Sequence, residues 1–355
     1  MPRLRRSDCS TPGIRRRRRG RGFSYHWEPT GERVDDPAVL ARIEQLVVPP
    51  AWQDVWICPY ANGHLQAVGT DAAGRKQYRY HDAWRTRRDA SKFDSMLEFA
   101  AALPDLRAVV DAQLSQRDGF DRDRVLACTV RLLDTGFFRI GTEVGRSGEL
   151  ETFGLTTMRK EHVRIQGNEL AFEYLGKGGQ RRVHSLVDPP VAEIVRTLKR
   201  RRSGGVELLA YRSDGDWVDL TARDVNAWIK DVTGGDFSAK DFRTWGATVL
   251  AAVALAVSGP AQSSASARKR AEARAAREVA HYLGNTPAVA RSSYIDPRVF
   301  DRYRSGWVIS GVLTELGDVE GHELSLHAHV EPAVVDLLTD NTASDAVERV
   351  SGIAS

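Results

Sequence analysis

LGNTPAVARSSYIDPRV, residues 283–299, is the stretch from which the rest of the chain can be ordered. Leu283 closes a basic Ala/Arg helix that starts at Arg268, and Thr286-Pro287 supplies a cap and a first-turn proline for the next helix. Tyr294 then falls about seven residues, or ~10 Å, along that short helix. Upstream, Ser238-x-x-Asp241 is a capping box ahead of KDFRTWGAT (240–248), so Arg243 sits in the first turns of a helix. Thr221-x-x-Asp224 is a second box, before Val225, Trp228, Ile229 and Val232. Asp188-Pro-Pro starts a third helix with Val191, Ile194, Val195 and Leu198 on one face. A β island runs from Glu169 to Leu175 and from Arg181 to Leu186, with Lys177 in the GKGG turn between them. Arg139, in FFRIG, follows the amphipathic helix Asp123 to Leu133. From Phe23 to about Arg88 the texture is β, with a hairpin pairing Gln66–Thr70 and Arg75–Tyr80 across DAAG. The expected fold is α+β: a small β-rich N-terminal domain over 23–90 and a larger, mainly α-helical domain over 91–310 that contains a short β-hairpin or sheet.

Charge is divided along the chain. Residues 1–22 hold nine Arg and one Asp, a local +8, and residues 311–355 hold nine Asp/Glu and one Arg, a local −8. The intervening body keeps 41 basic against 37 acidic groups, which returns the net +4 of the 355-residue chain. A histone-like protein, basic throughout, is excluded. Residues 1–22 lack apolar content and read as a disordered Arg-rich, polyanion-binding arm, and 311–355 as an acidic tail. Cys9, Cys58 and Cys128 form no framework and suit reduced thiols in the cytoplasm. The longest apolar run, Ala247 to Val257, is a buried helix, short of the ~18 residues a membrane span needs. The basic N-terminus has no apolar stretch after it and is not a secretory signal. No GxxxxGK[ST] or GxSxG is present, and HELSLH (322–327) spaces its histidines one residue too far for a zinc HExxH. No metal, cofactor or nucleotide is therefore expected.

Arg139, Lys177, Arg243, Asn285 and Tyr294 are each unremarkable alone. A lone surface Arg is usually solvated, a glycine-turn Lys solubilising, and a tyrosine on a short helix part of a core. Their order, with the words around them, changes that. GRKQYRYHDAWR, RLLDTGFFRIG, FGLTTMRKEHV, LGKGGQRR, KDFRTWGAT and LGNTPAVARSSYIDPRV closely resemble the poxvirus-like and bacterial type IB DNA topoisomerases, over roughly residues 23–303. The resemblance implies a C-shaped clamp that acts on duplex DNA as a monomer, in the nucleoid, relaxing supercoils without ATP or metal. It implies Tyr294 as the nucleophile that forms a 3′-phosphotyrosyl bond. Arg139 and Arg243 would hold the non-bridging phosphate oxygens, and Lys177 would protonate the departing 5′-oxygen. Asn285 stands where viral members carry His and bacterial members carry Asn, so its implied role is hydrogen-bond donation. Lys240 is similar to a position that helps orient the site.

The chemistry suits these residue types. A phenol of pKa near 10 is only about 0.1% ionised at pH 7, a deficit of ~4 kcal/mol that two guanidiniums offset in part. Arginine meets the equatorial oxygens of a phosphoryl transition state bidentately. A 5′-alkoxide is a poor leaving group, and a lysine on a mobile turn can supply its proton. Gln77-Tyr78-Arg79-Tyr80 resembles the family's DNA-reading strand, with Gln77 and Arg79 on one face and the two tyrosines on the other. Gln77 can donate and accept against adenine. Arg75, Lys76, Arg85, Arg87 and Arg88 beside it, and Arg268, Lys269 and Arg270, are candidate phosphate contacts. Two alternatives stay open. A site-specific tyrosine recombinase shares this chemistry, but its front domain is usually helical, and the tail here shows no evident apolar helix for exchange between copies. The other is a catalytically inert DNA-binding protein.

Overall fold

The computed structural model describes residues 3–116, 119–142, 151–259, 264–316 and 323–349, with side chains omitted at 86, 87, 89, 90, 314–316 and 323–329. Arg87 and the histidines of HELSLH fall outside the described side chains. The chain forms two compact units, 1–94 and 95–355. Among the described residues no helix is long and apolar enough to cross a membrane.

The first unit is a five-stranded antiparallel sheet in the order β2-β1-β3-β4-β5, from β1 (Ile14–Arg19), β2 (Gly22–Trp27), β3 (Gln53–Ile57), β4 (Leu65–Thr70) and β5 (Lys76–Tyr80), with α1 (Pro37–Gln45) between β2 and β3. Ile14, Val34, Ile43, Val55, Ile57 and Ala67 form its core. The expected hairpin across DAAG is present. Asp71 takes the backbone N–H groups of Ala73 and Arg75 at 2.9 and 3.0 Å. Chiefly through the Arg75 N–H, its carboxyl is held down to about 2.

Residues 14–19 are not the disordered arm expected. Alternation explains this: Ile14 enters the core, and Arg16 folds inward with it. Arg16 donates to the carbonyls of Val48, Pro49 and Trp52 at 3.3, 3.1 and 2.6 Å and lies over the Phe23 ring. Ahead of β1, Ser7 bonds His64 and the Leu65 carbonyl, so that segment is also tied to the sheet.

The helical unit starts within α2 (Asp82–Leu114), which begins earlier than the β-to-helix change expected near 91. His81 caps it, its ring Nδ1 accepting the Ala83 N–H at 3.1 Å. Then come α3 (Arg122–Gly136), two short 3₁₀ turns at Leu155–Thr157 and Lys160–His162, and the antiparallel sheet β6 (Val163–Gln166), β7 (Glu169–Gly176) and β8 (Gln180–Val187). There follow α4 (Pro189–Arg200), the ribbon β9 (Ala210–Ser213) and β10 (Asp216–Asp219), and α5 (Ala222–Thr233). The side chains of Asp188 and Thr221 cap their helices, and at Ser238 the reciprocal half of the box forms, Asp241 accepting the Ser238 N–H. Next are α6 (Ala239–Val257), α7 (Ala265–Leu283), α8 (Pro287–Ser293) and α9 (Pro297–Arg304). α6 and α7 pack with alanines buried on both: 247, 251, 252 and 256 on α6, and 271, 275, 276 and 280 on α7.

The described parts of the acidic tail, 311–316 and 323–349, are also folded. β11 (Trp307–Val308), α10 (Ser310–Leu316), α11 (Glu323–Thr339) and β12 (Glu348–Arg349) follow α9, and α11 packs on α6 and α9 of its own unit. Val330, Ala333, Val334, Leu337 and Leu338 are buried at i, i+3, i+4, i+7 and i+8, an apolar face that the tally of acidic residues hides. The tail therefore does carry an apolar helix, contrary to the expectation, and that helix is engaged in cis. One of its acids is structural: Arg107 of α2 grips Glu331 at 2.6 Å and Asp134 of α3 at 2.8 Å. Leu337→Ala is expected to cost about 2–5 kcal/mol, read as a lower denaturant midpoint. An unchanged midpoint would return α11 to the status of a free tail.

Candidate active site

The C-terminal end of α7 organises the site. A helix ends on carbonyl oxygens that its own N–H groups do not satisfy, and the helix dipole makes that end attractive to cations. Here four consecutive carbonyls accept from three arginines. Arg182 of β8 donates to His281 O at 3.3 Å and Tyr282 O at 2.6 Å. Arg243 of α6 donates to Leu283 O at 2.9 Å, and Arg139 to Gly284 O at 3.3 Å. Gly284 turns with φ +60°, and a Cβ there would stand 2.4 Å from Arg182 Nη1, so glycine is needed for the close approach.

Each expected residue can now be placed. Arg139 lies just beyond α3, whose cap Phe137 is left-handed at φ 54°. The next residue, Phe138, is buried against Phe172 and His184 of the β6-β7-β8 sheet. The carbonyls of Arg139 and Ile140 accept the N–H groups of Leu155 and Thr156, both at 2.8 Å, which fixes the backbone on either side. Arg139 also donates to Asn285 Oδ1 at 2.5 Å. The amide nitrogen of Asn285 is buried and has no hydrogen-bond partner among the described residues. Arg243, 4% exposed, donates a second bond to the Phe137 carbonyl, and its guanidinium carbon stands 5.5 Å from the Tyr294 ring centre. Tyr294 caps the C-terminus of α8, its own N–H bonding Ala290 O. Thr248 of α6 donates to Tyr294 O at 3.3 Å and accepts the Asp296 N–H at 3.1 Å, which pins the tyrosine segment to the helix of Arg243. Lys177 is exposed at the β7-β8 turn, and Lys240 is exposed on the first turn of α6.

One pocket is lined by Arg139, Lys177, Arg182, Arg243, Gln180, His184 and Tyr174, together with apolar and glycine residues, and, among the described residues, by no carboxylate. Arg124, 4% exposed, is likewise held by a carbonyl, that of Gly119 at 2.7 Å, but two other arginines of the unit are paired with acids. Arg131 is paired with Asp188 and Asp111, and Arg107 with Asp134 and Glu331. Among the described residues Arg139 and Arg243 are held by carbonyls and an amide instead, and no described carboxylate cancels their charge. Burial, reinforced by Arg139, brings Arg243 down to about 10. Burial likewise pushes the His184 imidazole down to about 4, helped by Arg182 and Arg243. For Tyr294 burial acts upward, but Arg243, Arg139, a hydrogen bond to Arg243 and Lys240 outweigh it, and the phenol lies below its ordinary value.

Three supporting residues escape a reading of the sequence. Arg182 and Thr248 sit inside quoted words, LGKGGQRR and KDFRTWGAT, but only the fold shows what they bind. Glu272 of α7, 5% exposed, takes Arg291 of α8 and Arg304 of α9, each at 2.7 Å, and so ties the helices on either side of Tyr294 to α7. It is one acid in a run of Ala and Arg, with no local signal.

In the other unit, β5 is the sheet edge beside β4. Tyr78 and Tyr80 share a face, stacked with centroids 6.2 Å apart, and Tyr78 is 47% exposed. Lys76 is exposed. Gln77 and Arg75 are occupied by the turn: Asp71 accepts from Gln77 Nε2 at 2.9 Å and pairs with Arg75 at 3.0 Å. Arg79 donates to Val47 O at 3.0 Å. Arg79, Arg85 and both tyrosines line one groove with Arg42 and Gln66.

Comparison with known proteins agrees with this architecture. Residues 81–306 match the family described as the eukaryotic DNA topoisomerase I catalytic core, and residues 22–71 match the bacterial DNA topoisomerase IB N-terminal domain. The chain is similar to DNA topoisomerase 1B of Acanthamoeba polyphaga mimivirus, 29% identical over 82% of this chain and 88% of the relative. It is also similar to DNA topoisomerase I of monkeypox virus, 22% identical over 75% and 82% of the two chains. A solved site-specific recombinase, XerH, aligns with a TM-score of 0.35 at 14% identity over 57% of this chain and 50% of the other, too remote to carry an argument. With more than half its length matching the catalytic core, this chain belongs to the type IB DNA topoisomerases and is an enzyme of that class.

Proposed function

We propose that the chain relaxes supercoiled duplex DNA without ATP or a metal ion, by cutting and resealing one strand through Tyr294. The observation that carries this reading is the carboxylate-free set of arginines beside a phenol whose pKa is lowered. In the forward step the Tyr294 phenol, having given its proton to solvent, bonds phosphorus through its oxygen while the bond from phosphorus to the 5′-oxygen breaks. Arg139 and Arg243 neutralise the non-bridging oxygens, and the amide of Asn285 donates to one of them. Lys177 passes its proton to the leaving 5′-oxygen. The product is still a phosphodiester, so the free 5′-hydroxyl reverses the step after torque has turned the strand. The arginines and the lysine supply the positive charge for which other phosphoryl-transfer sites use metal ions. Lys240 supports the phenolate from the exposed side.

DNA is held in part by β5, where Tyr78 and Lys76 are the exposed groups. Gln77 reads a base only by exchanging its bond to Asp71, and Arg75 likewise reaches a phosphate by leaving that carboxylate. Arg268, Lys269 and Arg270 add phosphate contacts near the start of α7. A single copy carries the full set of groups, so the enzyme works as a monomer, and its substrate places it with the nucleoid. The recombinase reading is weakened because α11 is packed on its own α6 and α9.

Supercoiled plasmid incubated in EDTA without ATP should be relaxed from either sign of supercoiling. Tyr294→Phe should abolish both relaxation and the covalent adduct; persistent activity in that variant would remove Tyr294 from the reaction. Arg243→Ala should slow single-turnover cleavage by about 10²–10³. Lys177→Ala should slow cleavage of ordinary DNA far more than cleavage of DNA whose bridging 5′-oxygen is replaced by sulfur, because a thiolate leaves without a proton. Equal losses on both substrates would place Lys177 outside the proton transfer. A cation near Tyr294 favours the phenolate, so removing one raises the phenol pKa. Lys240→Gln should therefore move the rising limb of the cleavage-rate profile to higher pH, and an unmoved limb would show that Lys240 does not act on the phenol.

A further inference from the structure

The β1-β2 ribbon carries charge that nothing in its unit uses. β1 pairs with β3 only through Ile14 and Arg15, while its pairing with β2 continues to Arg19↔Gly22, so the far end is two strands wide. Arg15 is consumed by Glu28 at 2.7 Å, and Arg16 by three carbonyls. Arg17, Arg18, Arg19 and Arg21 are exposed, and their side chains make no hydrogen bond or ion pair among the described residues. No Asp or Glu occurs between Cys9 and Trp27. A Cβ built on Gly20, at the tip, would meet nothing within 4 Å. Arg17 and Arg19 project from one face about 7 Å apart, close to the separation of neighbouring phosphates on one DNA strand. Arg16, clamped below, makes the ribbon a fixed support, so little ordering cost opposes binding.

We propose that this ribbon is a second DNA site, in which Arg17, Arg19 and Arg21 bind duplex phosphates away from the reacting one. It rests on the DNA-relaxing reading for its ligand but not on the chemistry at Tyr294. The phosphates come either from the duplex held at the active site or from a second duplex segment. Its role is retention on DNA as salt rises.

The test measures equilibrium binding against salt in the Tyr294→Phe background, where no covalent adduct forms. Adding Arg17→Gln, Arg19→Gln and Arg21→Gln should flatten the slope of log affinity against log salt by about 2–3, at ~0.9 per phosphate contact. The corresponding triple Lys variant should keep the slope. The exposed triple Arg200→Gln, Arg202→Gln, Arg223→Gln, with the same loss of net charge, should also keep it. Flattening on a short duplex places the ribbon on the bound DNA. Flattening only on crossed or supercoiled DNA places it on a second segment. An unchanged slope on every DNA, or equal flattening in the Arg200/202/223 variant, overturns the site. Failure of the unmodified chain to relax plasmid would sink the enzymatic reading separately, since these binding slopes do not require cleavage.

Discussion

Three guanidiniums bound to the carbonyl end of one helix are the interaction on which the rest of this molecule depends. An arginine buried without a carboxylate is costly unless its donors are met, and main-chain oxygens meet them here without cancelling the charge. The end of α7 serves Arg182, Arg243 and Arg139 in adjacent positions, and each comes from a different element. A carboxylate in the same place would bind as firmly but would compete with a phosphate. Arg107 and Arg131, each joined to two acids, show the other way in which this unit accommodates an arginine.

Local signals account for much of what could be read in advance. The caps at Asp188 and Thr221, the reciprocal bond at Ser238, the hairpin around Lys177 and the turn at Asp71 are written in neighbouring residues, and the structure contains all of them. The ends of the chain were harder, because tallies of charge conceal alternation. In β1 one isoleucine and one inward arginine order a string of arginines that looks unable to fold. In α11 five apolar residues on one face outweigh acids spread around the helix. His81 as a helix cap escaped notice because imidazole is not among the usual capping groups.

The candidate site was legible as a set of residue types in order, and not as a set of contacts. That Arg139 meets the carbonyl oxygen of the Asn285 amide, leaving the nitrogen side as the open donor, depends on the crossing of two distant loops. Glu272 belongs to the same class: its importance lies in two arginines 19 and 32 residues away. On β5, the aromatic half of the strand is open as alternation suggests, whereas Gln77 and Arg75 are engaged by a carboxylate six and four residues before them.

α6 and α7 pack on each other and both bury several alanines, which gives this arrangement its tolerance, in the engineer's sense. A methyl group has no rotamers with which to absorb an error, so any change in volume along that seam must be passed on as displacement of a whole helix. One helix bears Arg243 and the other bears the carbonyls that receive it. The seating of Arg243 on the end of α7 thus depends on small residues along the two helices, well away from the guanidinium itself.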